Sequence, residues 1–312
     1  MGIPRFGASF GAGNAKAVLE LILKAESLGV KGVWFTAGAG GGDTLTLCAA
    51  AALGTTSINI GTAIVPTFPR HPVVMAQQAA TVAQLSPGRF NLGIGPSHAP
   101  TMESLGIPYK QPIGHLREYL TIVQSLLKTG TVDFKGRHFT VRARLAATVD
   151  APVIISALRE ISFELAGELA DGAVSWVCPA PYLRSVALPA MERGAQRLGR
   201  PRPPLIAHAF VCLTTDQVAF QEAATASVGN YPRIANYAGM FIKAGFPEAE
   251  SGTFSEGIRD AVVLAGSAEE VREKVYRFQE TAGAEAMVLS IIPIGPNRTA
   301  GIEATLEVVA SL

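Results

Sequence analysis

The stretch that decides the fold runs from residue 57 to residue 95. It opens with Ser57-Ile58-Asn59-Ile60-Gly61-Thr62-Ala63-Ile64-Val65, continues from His71 into a helical run ending at Leu85, turns at Ser86-Pro87-Gly88, and closes with Arg89-Phe90-Asn91-Leu92-Gly93-Ile94-Gly95. The two flanking runs are short, apolar and rich in β-branched residues, which suits strands. The segment between them is long enough to return the chain to the same end of a sheet as a crossover helix. Strand, helix, turn and strand in this order make a parallel β-α-β unit.

The same unit recurs on both sides. Strands are expected at residues 3–10, 32–36, 57–65, 89–95, 152–156, 173–177, 205–213 and 286–292. Helices are expected at 14–28, 43–53, 71–85, 112–128, 160–170, 182–198 and 267–282, with a closing helix to residue 312. Asn14 and Asp43 suit N-caps, Gly29 a helix stop, and Ser267-Ala268-Glu269-Glu270 a capping box. A small hairpin is expected near 131–142, and irregular helices near 216–261, with Tyr231 and Tyr237 among their residues, over the mouth of the fold. Eight strands, each followed by a helix, favour a closed (β/α)8 TIM barrel with insertions, one domain over residues 1–312, above a doubly wound open sheet. No GxGxxG opens the first unit, and no GxxxxGK[ST] or GxSxG occurs, which removes the usual dinucleotide, P-loop and hydrolase signatures.

Composition narrows the function. Hydrophobic residues make up 48% of 312 and charged residues 16%, enough to fill a barrel and the inner faces of a helix ring. The 26 basic and 25 acidic residues leave a net charge of +1, so no basic field attracts nucleic acid. Cys48, Cys178 and Cys212 are widely spaced without metal-ligand or disulfide patterning, and no metal is expected. No run reaches the ~18 apolar residues of a membrane span, and no signal peptide is read at the start, so the expectation is a cytoplasmic protein.

In a barrel of this kind, chemistry gathers where the strands end and the βα loops begin. That rule selects Ser9 and Phe10, Thr36 to Gly38, Ala63 to Phe68, Gly95 to His98, Ser156 to Arg159, Trp176 to Cys178, His208 to Phe210 and Ile292 to Gly295. Two of these stay open. His208 lies within a strand and faces either the lumen or the outer layer; the glycines of residues 38–42 leave room for substrate or form a simple flexible loop.

The run Gly61-Thr62-Ala63-Ile64-Val65-Pro66-Thr67-Phe68-Pro69-Arg70-His71-Pro72, with Ala76-Gln77-Gln78, Leu85-Ser86-Pro87-Gly88-Arg89-Phe90 and Leu92-Gly93-Ile94-Gly95, resembles the luciferase-like superfamily, in particular the branch that uses the deazaflavin coenzyme F-420. Ala166-Gly167-Glu168-Leu169-Ala170-Asp171-Gly172 and Ala265-Gly266-Ser267-Ala268-Glu269-Glu270-Val271 carry the same resemblance. It covers most of the chain in order. It implies a tricyclic ring across the barrel mouth, with a non-prolyl cis peptide behind it at Ala63–Ile64, a small-molecule substrate, and a homodimer. An FMN-dependent monooxygenase is the alternative, and a catalytically silent cofactor-binding protein the third reading.

On that resemblance the cofactor would touch Thr36, Ala63, Ile64, Ser97, His98, Ser156, Ala157, Leu158, Arg159 and Trp176. His98 is the candidate catalytic residue, because an imidazole of pKa near 6.5 suits the proton transfer that accompanies hydride transfer; contact with the ring, or a bond to a loop carbonyl, are its other roles. Backbone N–H groups of residues 156–159 at a helix start would hold a cofactor phosphate, with Arg159 adding a charge; an ordinary cap with a solvent-facing arginine is the plainer reading. Trp176 would wall the ring pocket or simply pack. Thr36-Ala37 departs from the pattern, since many relatives place an acidic residue and a histidine there.

Overall fold

Residues 2–37 and 41–312 are described by the computed structural model, so the glycine-rich positions 38–40 fall outside it. Eight parallel strands run in chain order: β1 (Phe6–Gly11), β2 (Gly32–Thr36), β3 (Asn59–Thr62), β4 (Phe90–Gly95), β5 (Val153–Ser156), β6 (Gly172–Val174), β7 (Leu205–Leu213) and β8 (Ala286–Ile291). Each pairs with the next, and β8 pairs back with β1 through Phe6↔Met287 to Ser9↔Ser290. The ring is closed, and helices surround it. This is a (β/α)8 barrel.

The strands are continuous apolar runs because both of their faces are covered. Val33 and Phe35 pack outward into the large core between ring and helices, whereas Trp34 joins Ala63, Ile154, Val174, Ile206, Ala286 and Val288 in a separate cluster inside the ring. Trp34 is 1% exposed. It fits only because Gly61 has no side chain: a Cβ there would stand 2.4 Å from the indole. The lumen is thereby packed at Trp34 and changes toward the strand C-termini to Ser9, Thr36, Ser156, His208 and Ser290.

The helix starts follow their caps. Asn14 accepts from Ala17 N–H, Asp43 from Thr46 N–H, and Ser267 and Glu270 form a reciprocal capping box. Arg89, from the Ser86-Pro87-Gly88 turn, is buried without a carboxylate. Its guanidinium donates instead to the carbonyls of Ala52, Thr55 and Ile58 and to Thr55 Oγ1, which satisfies the end of the helix at Thr44–Gly54.

Several local expectations are corrected. The strand expected over 57–65 stops at Thr62, and Val65–Pro66 resumes pairing with Ile94 and Gly95 after the cis bond at Ala63–Ile64. In the register, Gly61 faces Asn91 and Val65 faces Ile94, so three residues oppose two. The strand expected over 173–177 ends at Val174, which puts Trp176 in the following bend. A short helix, Ala99–Ser104, follows β4, and a π-helical turn at Leu183–Ala187 precedes Pro189, whose missing N–H cannot serve Ser185. The irregular segment after β7 ends in an unexpected strand, Val263–Gly266, parallel to Phe210–Leu213 and outside the ring.

Thr62 carries the ladder across the break. Its hydroxyl donates to Gly93 O and accepts from Gly93 N–H, both at 2.8 Å. A Cβ on residue 93 would stand 1.8 Å from Thr62 O. Gly93→Ala must therefore push β3 and β4 apart, and the expected cost is about 3 kcal/mol or more, read as a lower urea midpoint with an unchanged slope.

Candidate active site

The mouth is built from strand ends and from the segment between β7 and Val263. His98 follows β4 in a loop whose Ser97 has φ 62°, a left-handed conformation that a serine adopts only when its surroundings hold it. Tyr109 supplies part of that hold by donating from its hydroxyl to Ser97 O at 3.1 Å. His98 then starts the helix Ala99–Ser104 without using its side chain as a cap. Its ring lies 5.7 Å from that of Tyr237, which is 4.7 Å from Tyr231. Burial lowers the His98 pKa below its ordinary 6.5.

A second group faces it. Trp176 stacks on His208 with ring centres 3.6 Å apart and donates from its indole nitrogen to the Tyr231 hydroxyl at 2.8 Å. His208 faces the lumen and is wholly buried. It accepts a hydrogen bond from Val177 N–H at Nδ1, and its Nε2 lies 2.8 Å from Ser290 Oγ. Ser290 Oγ is 2.6 Å from Ser9 Oγ. Burial pushes the His208 pKa down to about 3, so this imidazole is neutral at physiological pH. Burial raises the Tyr231 and Tyr237 phenols and pushes the Cys178 thiol up to about 12, so none of these carries charge near neutrality.

The remaining expected contact residues divide. Ala63, Ile64 and Trp176 meet around the lumen cluster. Ser156 lies against Gly95, where a Cβ would stand 2.1 Å from its hydroxyl, and the Thr36 hydroxyl donates to Phe10 O at 3.4 Å. Three of the four N–H groups of the expected phosphate cradle already have acceptors. Ala157 N–H is bonded to Val174 O, and Leu158 and Arg159 N–H both donate to Ser162 Oγ at 3.0 and 3.1 Å. Arg159 itself is exposed. The anion-binding reading of this turn overlooked Ser162, which stands three residues after Arg159 and takes those protons.

A cavity of about 670 Å³ lies elsewhere, beside Val263–Gly266, and Arg259, Lys274, Arg277, Asp260 and Glu270 line it with Thr214 and Phe220. Lys274 is held there by Ala265 O at 2.5 Å, and Arg259 by Gln221 and Asp260. Among the described residues no three His, Cys, Asp or Glu side chains are grouped as a metal would require, and no helix is long and apolar enough to cross a membrane.

In a closed barrel the strand ends are where chemistry is placed, and here they carry an imidazole without a partner among the described residues above a neutral, hydrogen-bonded floor. The chain belongs to the luciferase-like monooxygenase family, whose model matches residues 4–285. It is 26% identical to the 5,10-methylenetetrahydromethanopterin reductase of Methanopyrus kandleri, over 92% of this chain and 91% of that one. It is 30% identical to the F-420-dependent glucose-6-phosphate dehydrogenase of Microbacterium testaceum over 65% of this chain and 66% of the relative. The solved F-420-dependent secondary alcohol dehydrogenase, in complex with an F-420–acetone adduct, superposes with a TM-score of 0.82 at 22% identity over 97% of each chain.

The buried histidine has a measurable consequence. Below pH 6.5 the unfolded chain takes up a proton that folded His208 refuses until about pH 3, so its contribution to stability is complete above pH 6.5 and drains as pH falls. The loss from this residue is on the order of 3 kcal/mol by pH 4.5. His208→Asn should flatten the dependence of unfolding free energy on pH between 7 and 4.5 by that amount; parallel curves for variant and wild type would show that His208 protonates normally.

Proposed function

We propose that this chain is a hydride-transferring oxidoreductase that uses coenzyme F-420 and acts on a small organic molecule at an alcohol or carbonyl, imine or C=C carbon, with His98 as its general acid–base group. The observation that carries the reading is His98 itself. Among the described mouth residues its imidazole has no hydrogen-bond partner, and burial lowers its pKa below 6.5, while His208, Tyr231, Tyr237 and Cys178 are fixed in their neutral forms. The named F-420-dependent relatives support the choice of cofactor.

When bound, the deazaflavin supplies the two-electron hydride chemistry, and the protein supplies position, dryness and a proton. Ala63, Ile64 and Trp176 offer a flat apolar bed for a ring. The cavity beside Val263–Gly266 is an alternative to the turn at 156–159 for the cofactor's anionic tail: Arg277 is its lining cation without a protein partner among the described residues, whereas the N–H groups of Ala157, Leu158 and Arg159 already have acceptors. His98 in its neutral form takes the proton from a substrate hydroxyl as the carbon is oxidised, and in the reverse direction the imidazolium returns it. The lowered pKa makes the neutral form dominant at pH 7, which favours the role of base.

Two measurements follow for this site. Oxidation should be flat across pH 7–8 and fall on the acid side with an apparent pKa below 6.5, because the base is lost as it protonates. His98→Gln should remove that limb and lower turnover by about 10²–10⁴ with little change in cofactor affinity. An unchanged rate and profile would take His98 out of the mechanism, and tight FMN binding without deazaflavin affinity would replace the cofactor.

The chain is also read as a homodimer. Leu23, Leu53 and Val74 are 46%, 74% and 43% exposed on the helices Ala15–Leu28, Thr44–Gly54 and Pro72–Leu85, which pack side by side. Sedimentation at micromolar concentration should give twice the chain mass; a monomer alone would contradict this.

A further inference from the structure

Three protons meet beneath the mouth, and the protein uses two of them. A neutral imidazole donates from one nitrogen and accepts at the other. Val177 N–H donates to His208 Nδ1, so Nε2 carries the ring proton and points it at Ser290 Oγ. Ser290 Oγ and Ser9 Oγ share one further bond at 2.6 Å. The protons on Nε2, Ser290 and Ser9 therefore serve a chain with two bonds. Whichever serine donates to the other, one hydroxyl proton is left over, and neither serine donates to a backbone carbonyl among the described residues. Both serines are 8% exposed, and they are register partners near the C-terminal ends of β1 and β8. The pair stands at the end of the ring where the strands open into the mouth.

We propose that the Ser9–Ser290 pair is a hydrogen-bond donor site for an acceptor oxygen of the molecule bound in the mouth, either a carbonyl of the cofactor's pyrimidinedione ring or the oxygen of the substrate. This rests on the mouth being the cofactor and substrate site. The direction of the chain is set at its far end. With Nδ1 taken by Val177 N–H, His208 can give Ser290 a proton but cannot accept one, so the two hydroxyls cannot both turn their protons inward. Trp176 covers the imidazole and keeps water from competing for it. Burial holds His208 neutral, so the donor does not switch off between pH 5 and 8. An acceptor that gains negative charge during the reaction gains most from such a fixed donor.

The test uses the full chain. Without ligand, 15N spectra of the histidines should show Nδ1 of His208 bare and Nε2 protonated. Oxidised F-420, reduced F-420 and FMN are then titrated into wild type, Ser9→Ala, Ser290→Ala and the double variant. Each single variant keeps one serine with a spare proton, so the double variant should lose more than the two singles combined suggest. If the acceptor is the ring, the double variant loses about 3- to 10-fold for a neutral ring and about 10- to 100-fold for the anionic reduced ring. If it is the substrate, cofactor affinity holds and kcat/KM falls about 3- to 10-fold. FMN carries the same ring carbonyls, so binding of FMN alone, weakened in the double variant, would end the F-420 reading and leave the donor site standing. A proton on Nδ1, a wild type that binds neither cofactor, or a double variant with unchanged affinities and unchanged kcat/KM would each overturn the proposal.

Discussion

The pair of bonds between the Thr62 hydroxyl and the Gly93 peptide group is the joint on which this barrel turns. A ring of eight strands stays closed only if every neighbour holds the next, and the register between β3 and β4 is broken by one extra residue. The hydroxyl replaces the lost backbone partners on both sides of Gly93, and the missing Cβ lets Thr62 O come close. Everything above the break follows from it. Ala63 and Ile64 are turned toward the lumen, Val65 resumes pairing, and the next loop is launched over the mouth.

Below that level the lumen is apolar and filled by Trp34; above it, polar side chains face inward. A buried polar group without a partner costs on the order of 1–3 kcal/mol, so the upper lumen has to be satisfied internally. His208, Ser290 and Ser9 satisfy one another, and Trp176 closes over them while giving its own N–H to Tyr231. His98 stands outside this network, without a hydrogen-bond partner for its ring among the described residues. One histidine is thus locked into the floor of the mouth, and the other stands apart from it.

Much of this was legible in the residues. The eight strands could be placed because parallel strands covered on both faces are unbroken apolar runs between turn residues. The same property hid other things. In Leu205–Leu213 apolar residues occupy both faces, so periodicity could not tell which way His208 points. The run 57–65 reads as one strand because nothing in its propensities marks a bulge, and the cis bond came only from resemblance. Val263–Gly266 was lost because its four residues continue the apolar end of the helix Glu256–Val262. The segment carrying Tyr231 and Tyr237 reads as a cover for the mouth, but the contact it makes there does not, since Trp176 and Tyr231 are 55 positions apart and meet through the packing of an irregular segment. Ser162 was the one missed signal available in advance, since a serine at the third helical position commonly serves the turn before it.

The parallel ladder between Phe210–Leu213 and Val263–Gly266 sets how the covering segment can move. The segment leaves the barrel at the end of β7 and returns to the same strand, so both of its ends are anchored at one place. Mechanically it is a cantilever. Its root is part of the sheet, and Tyr231 and Tyr237 ride on the part that projects across the mouth. Rotation at the root is resisted by four residues of backbone pairing, whereas farther out the segment is held by side chains, including the Trp176–Tyr231 hydrogen bond and the Lys243–Glu160 ion pair. The stiffness of the cover is thus greatest at its root and is set by side-chain contacts toward its tip.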